Sequence, residues 1–229
     1  MKKIIVVSLI LSTWMLAGFF PPKVNSVIKS VDGKSATLGK AFPVNGMTGI
    51  VIHSFGKNLK AITAIATQTS PAKVKLEKGD LLEHDGLPTP KSLAVTGDRV
   101  IGGYLYSNVL VLAPNRETYE KITKSASRNW IHPDLFAAYL TREGDSRATK
   151  KNLAGFAKEA QVGLIYIVQK GQAVLLDPIS GKVVGKKSFQ ATGSGAKYPF
   201  YNRFDKVGGG LFSLGSSKGD YYEEIGKIH

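Results

Sequence analysis

The chain has 229 residues, of which 43% are hydrophobic and 21% charged, the composition of an ordinary globular protein rather than a disordered one. It contains no cysteine, which excludes disulfides and thiolate metal sites. Its formal net charge of +14 favours anionic surfaces such as lipid headgroups, lipopolysaccharide or acidic host glycans, with simple solubility as the alternative. The basic residues are scattered, and no nucleic-acid-binding signature is present.

The N-terminal segment, residues 1–20, has the pattern of an export signal. Lys2 and Lys3 precede an almost wholly apolar run from Ile4 to Phe20, which is slightly short for a membrane span. Ala17 and Gly18 are the only small residues at a plausible cleavage position, so both a cleaved signal peptide and an uncleaved anchor stay open. We expect an exported protein at the cell surface, on the outer membrane or in the periplasm.

Residues 24–106 predict a β-rich domain. Val24 to Val31 and Lys34 to Leu38 flank Asp32-Gly33, a typical tight hairpin turn. Further short strands follow at roughly ten-residue spacing, bounded by turn residues. This pattern predicts an antiparallel β-barrel or sandwich.

The stretch from Leu87 to Ile122 is the most ordered part of the sequence. Prolines stiffen its start, a Gly-Asp step predicts a turn, and two strand patterns then precede a capped helix. We read the strands as Arg99 to Tyr106 and Val109 to Ala113, forming a hairpin followed by a helix. The residues that carry this structural motif are Leu87, Pro88, Pro90, Gly97, Asp98, Pro114, Asn115 and Tyr119.

Residues 107–195 predict a small α/β domain. Three helical patterns lie between Asn115 and Gln161, and Val162 to Val168 reads as a buried strand. Residues 196–229 form a glycine- and aromatic-rich C-terminal segment that ends in a short helix near Asp220 to Lys227. The fold class is therefore α+β.

No catalytic or cofactor-binding pattern is present, so we expect a protein that is not an enzyme and carries no cofactor. His84 with Asp80, Glu83 and Asp85 is the only local group of metal-ligand types, and neighbours along one loop cannot all face one ion. His132 before Pro133 predicts a helix cap, and His53 a partly buried strand residue.

Four ordered blocks resemble the N-terminal domain of the bacterial plasminogen-binding surface protein family, of the PgbA type. They are the LPTP to LVLAPNRETYEKI stretch, VGLIYIV, YPFYNRF and GGLFSLGSSKGDYY. The resemblance implies a secreted or surface protein that captures host plasminogen. Longer members carry a lysine-rich tail after this domain, and the present sequence ends at His229 without one.

Kringle domains of plasminogen recognise a lysine ammonium with a nearby carboxylate. Without a terminal lysine, an internal pair would have to imitate one, and the candidates are Lys218 with Asp220, and Lys227 close to the chain end. The alternative function is a structural or assembly factor of the bacterial envelope that does not bind plasminogen.

Overall fold

The computed structural model describes residues 18–56, 58–79, 92–208 and 219–228. Six antiparallel strands close into a barrel in the order β1-β2-β5-β4-β3-β6. Their bounds are β1 Val24–Asp32, β2 Ser35–Leu38, β3 Thr48–Ser54, β4 Lys60–Ser70, β5 Lys73–Lys78 and β6 Arg99–Gly102. The structure thus decides between the two expected architectures in favour of the barrel.

The barrel follows from alternation in its strands. In β1 the first, third and fifth residues point inward, so Val24, Ser26 and Ile28 are buried while their neighbours are exposed. Gly33, with a φ of +55°, forms the predicted turn into β2, and Ile28 pairs with Leu38 across the hairpin. Closure leaves no unpaired strand edge.

The predicted hairpin between Arg99 and Ala113 is wrong. Strand β6 stops at Gly102 rather than Tyr106, and residues 103–107 turn the chain out of the barrel into a different sheet. Gly103 adopts a φ of +66°, which favours glycine, and a Cβ at Gly102 would collide with the Phe42 ring. Gly102 and Gly103, which were predicted to lie inside a strand, therefore lie where that strand ends.

The second sheet has five strands in the order β11-β10-β9-β7-β8. Its strands are β7 Asn108–Leu112, β8 Asn129–Ile131, β9 Leu164–Gln169, β10 Gln172–Asp177 and β11 Lys182–Ser188. Strand β7 runs parallel to β8 and β9, whereas β9, β10 and β11 are antiparallel. The expected buried strand is β9, in which every residue is buried.

Four helices accompany this sheet in the described part of the chain: α1 Arg116–Ser125, α2 Pro133–Arg142, α3 Lys150–Glu159 and α4 Tyr221–Gly226. The predicted helix caps are confirmed. The side chains of Asn115 and His132 accept hydrogen bonds from backbone N–H groups at the starts of α1 and α2. None of these helices is long and apolar enough to cross a membrane.

The two faces of the second sheet bury different cores. Along β9, Leu164, Tyr166 and Val168 point into a core shared with the barrel. Ile165 and Ile167 point the other way, into a core with α2, α3 and α4. The core that contains Tyr166 is shared by the barrel and the second sheet. The predicted division into domains 24–106 and 107–195 stays a prediction.

A buried carboxylate links the two sheets. Asp177, which is fully buried at the end of β10, accepts hydrogen bonds through Oδ2 from the Thr48 backbone (3.0 Å), the Thr48 hydroxyl (2.6 Å) and the Tyr106 hydroxyl (2.6 Å). Its Oδ1 accepts from the backbone N–H groups of Ile179 and Ser180. Burial, followed by the Asp177 charge, raises the pKa of Tyr106 far above its usual range, so that hydroxyl stays protonated.

Candidate binding surface

Helix α4 displays the charged end of the C-terminal segment and is firmly attached to the sheet. Tyr221 is buried, and its hydroxyl lies 2.8 Å from the carbonyl oxygens of both Leu112 and Val168. Ile225 and Ile228 are buried in the same core as Tyr221. A six-residue helix is marginal alone, so these contacts hold it in place.

Lys227 ends this helix and faces two carboxylates. Its ammonium lies 3.0 Å from Glu223 Oε1 and 3.0 Å from Glu224 Oε1. The side chains of Lys227 and Glu223 are 59% and 70% exposed, so both charges are open to a partner. The hydrogen bonds to Glu223 and then Glu224 raise the pKa of Lys227, which keeps it a cation.

The other predicted pair is only half described. Asp220 is the N-cap of α4, and its Oδ1 accepts the Glu223 backbone N–H at 2.9 Å. Gly219 packs where a Cβ would collide with the Tyr198 ring, so its small size has a packing reason. Lys218 lies outside the described residues. The structure therefore places Asp220 and Lys227 on one short helix.

The motif residues divide into turns, caps and packing positions. Leu87, Pro88 and Pro90 lie outside the described residues, as do Asp80, Glu83, His84 and Asp85. Gly97 has a φ of +96° in the predicted turn. Pro114 is buried directly before the Asn115 cap, and Tyr119 is half-buried on α1.

Asp98 does more than mark a turn. It is 6% exposed, accepts the Val95 backbone N–H at 2.8 Å, and lies 2.6 Å from His53 Nδ1. His53 occupies strand β3 and is half-buried, as the sequence predicted. The pair joins β3 to the turn before β6, and only the fold brings these two residues together.

A shallow aromatic groove forms around Tyr119, which the sequence did not reveal. The rings of Tyr119, His132 and Tyr201 pack against one another with centroids 5.1 to 6.2 Å apart. Burial lowers the pKa of His132 despite the nearby Asp134 carboxylate, and Arg203 lowers it further. Arg203 itself binds Asp134 at 2.6 Å, so the groove has internally paired charges.

The described residues contain no group of three or more His, Asp or Glu side chains that could hold a metal ion. Among the described residues, no third acidic or nucleophilic side chain is hydrogen-bonded to the pairs His53–Asp98 and His132–Asp134. What the surface offers is charge and aromatic contact, which suits binding.

Comparison with known proteins gives a consistent picture. Residues 23–225 match the family described as plasminogen-binding protein pgbA N-terminal. Two curated proteins, each named "Plasminogen-binding protein PgbA", from Helicobacter pylori strains J99 and 26695, are 28% identical over 174 residues. That match covers 72% of this chain but 38% of each relative, so the relatives are much longer than the shared region. No solved structure matches the chain. The chain belongs to the PgbA N-terminal family.

Proposed function

We propose that this protein is an exported envelope protein that captures plasminogen at the cell surface. The observation that carries the proposal is the family match over residues 23–225, together with relatives named as plasminogen-binding proteins. The basic n-region and apolar run of residues 1–20 support export. The non-enzymatic role agrees with relatives that are named for binding.

The proposed contact is the exposed end of α4. Lys227 with Glu223 presents an ammonium next to a carboxylate, the two groups that a kringle takes from a terminal lysine. Binding requires the pair to open, so that each charge meets an opposite charge on the partner. Opening is inexpensive because an exposed ion pair is weak in water.

A second Lys–Glu pair in the chain provides a matched control. Lys124 lies 3.4 Å from Glu120 on α1, with the same four-residue spacing as Glu223 and Lys227. Glu120 is also bound by Arg116 at 2.6 Å, so its carboxylate is already occupied. The two lysines are therefore similar in exposure and spacing but differ in the availability of the carboxylate.

The test measures plasminogen binding to the immobilised full chain. Lys227→Gln should weaken binding about tenfold, because a charge-assisted contact is lost, whereas Lys124→Gln should not. A free lysine analogue should compete with the wild type. Binding that ignores the analogue but fades with salt would overturn the kringle contact and indicate nonspecific attraction to the basic surface. Complete absence of binding would favour the alternative of an envelope structural or assembly factor.

A further inference from the structure

The end of the apolar N-terminal run is built into the folded body. Phe19 packs against Tyr166 with ring centroids 5.3 Å apart, and Phe20 packs against Trp130 at 6.3 Å. A Cβ at Gly185 would collide with the Phe19 carbonyl oxygen, so β11 is shaped to receive this backbone. Gly18, by contrast, is exposed and has no atom near its Cβ position. Packing of the described chain into the body therefore begins at Phe19.

Basic side chains cover the rings where this packing begins. Three cations lie over aromatic rings: Arg128 over Phe20, Lys187 over Phe19 and Lys121 over Phe189, at 4.4, 4.4 and 5.2 Å from the ring centroids. Lys187 also lies over the Phe189 ring, so the contacts form one continuous surface. We call these six residues the exit patch.

The three cations of the exit patch, Lys121, Arg128 and Lys187, have no carboxylate partner among the described residues. Lys187 is half-buried, and this burial lowers the pKa of its ammonium. On the side of α2, α3 and α4, four cations form ion pairs with acids: Arg142 with Glu159, Arg147 with Asp145, Arg203 with Asp134 and Lys227 with Glu223.

We propose that the exit patch is the face on which the protein rests against an anionic lipid membrane. Positions 4–18, which precede it, contain no Asp, Glu, Lys or Arg. As a helix these fifteen positions would reach only about 22 Å, less than the hydrocarbon core of about 30 Å. This apolar run continues directly into Phe19 and Phe20 of the exit patch. When the run inserts in a bilayer, the exit patch is therefore held at the lipid headgroups.

The side chains of the exit patch are of the types found at the headgroup region of a membrane. Aromatic rings and long basic side chains favour the interface between hydrocarbon and water, and anionic headgroups supply the missing counter-charges. Helix α4 packs on the opposite face of the second sheet from Tyr166, which contacts Phe19. The surface that carries Lys227 then points away from the membrane. This inference does not depend on plasminogen capture.

The absence of cysteine permits single-site labelling of the full chain reconstituted in vesicles. Ser127→Cys places a fluorescent label at an exposed position next to Arg128 without removing a charge, and Lys151→Cys places one on α3 as the control. In vesicles containing phosphatidylglycerol, the label at position 127 should become protected from aqueous acrylamide. The label at position 151 should remain as accessible as in detergent solution.

Arg128→Gln, added to Ser127→Cys, should reduce the ratio of protected to accessible label about fivefold, because one headgroup contact is lost. Lys151→Gln, added to Ser127→Cys, should not change it. Equal protection at positions 127 and 151, no protection at 127, or equal protection in pure phosphatidylcholine would overturn the proposal. Circular dichroism of each variant checks that the fold is retained, and loss of plasminogen binding alone would leave the proposal intact.

Discussion

Asp177 and Glu223 are both carboxylates that accept hydrogen bonds, yet their surroundings differ completely. Asp177 is fully buried and receives five donors from three separate parts of the chain. Glu223 is 70% exposed and contacts an exposed lysine one helical turn away. A buried carboxylate depends on every one of its partners, whereas an exposed one can exchange its partner for another molecule. The first arrangement suits a structural joint and the second suits recognition.

The largest expected effect is on the buried joint. Asp177→Asn keeps the size of the side chain but turns one acceptor oxygen into an NH2 donor. In either orientation that donor faces a backbone N–H, from Thr48 on one side or from Ile179 and Ser180 on the other. We expect a loss of about 3 kcal/mol in the free energy of unfolding, measured by urea denaturation.

Asp205→Asn, at an exposed position, is the control and should leave the urea midpoint unchanged. Tyr106→Phe removes one of the five donors, and its effect should shrink when Asp177 is already Asn, since both changes act on one contact. A loss below about 1 kcal/mol for Asp177→Asn would show that the joint does not stabilise the fold.

Local features of this fold were predictable from sequence, and the joint was not. The predicted helix caps Asn115 and His132 are confirmed, because a cap needs only neighbours within three residues. The strand at β9 followed from an unbroken apolar run. Asp177, in contrast, stands at the end of a strand pattern before a proline, and no local pattern points to its partners Tyr106 and Thr48, which lie 71 and 129 positions away.

Contacts between distant positions also explain why the sequence did not reveal the aromatic groove and why the predicted hairpin was wrong. The aromatic groove joins residues from α1, the start of α2 and the C-terminal segment, which no local pattern connects. The false hairpin arose because Gly102 and Gly103 continued a strand-like pattern, while their actual role is to bend the chain beside Phe42 and Met47. Periodicity identifies elements, and long-range packing decides which sheet each one joins.

A smaller effect is expected where a cap depends on pH. His132 Nδ1 accepts the Asp134 backbone N–H at 3.2 Å, so protonation of Nδ1 removes the cap. The pKa of His132 is lowered in the folded state, mainly by burial. Unfolded chains therefore bind more protons than folded ones just below the unfolded pKa of about 6.5, and stability falls as the pH decreases from there towards the folded pKa.

We expect this change to be no more than about 1 kcal/mol, measured by urea unfolding between neutral pH and mildly acidic pH. His132→Asn keeps a capping acceptor that does not titrate, so its stability should vary less over the same range. Asp134 and Arg203 are retained in that variant, which isolates the histidine from its charged neighbours. An identical pH dependence in both proteins would contradict the cap argument.

The smallest expected effect is on the exposed pair, and it tests the other half of the comparison. Glu223→Gln combined with Lys227→Gln removes both charges from the surface of α4, while Tyr221 and Ile225 continue to anchor the helix. Exposed ion pairs contribute little to stability, so the urea midpoint should match that of the wild type. A clear decrease would mean that the pair holds α4 on the sheet. In that case, any loss of plasminogen binding in Lys227→Gln would reflect a displaced helix instead of a missing contact.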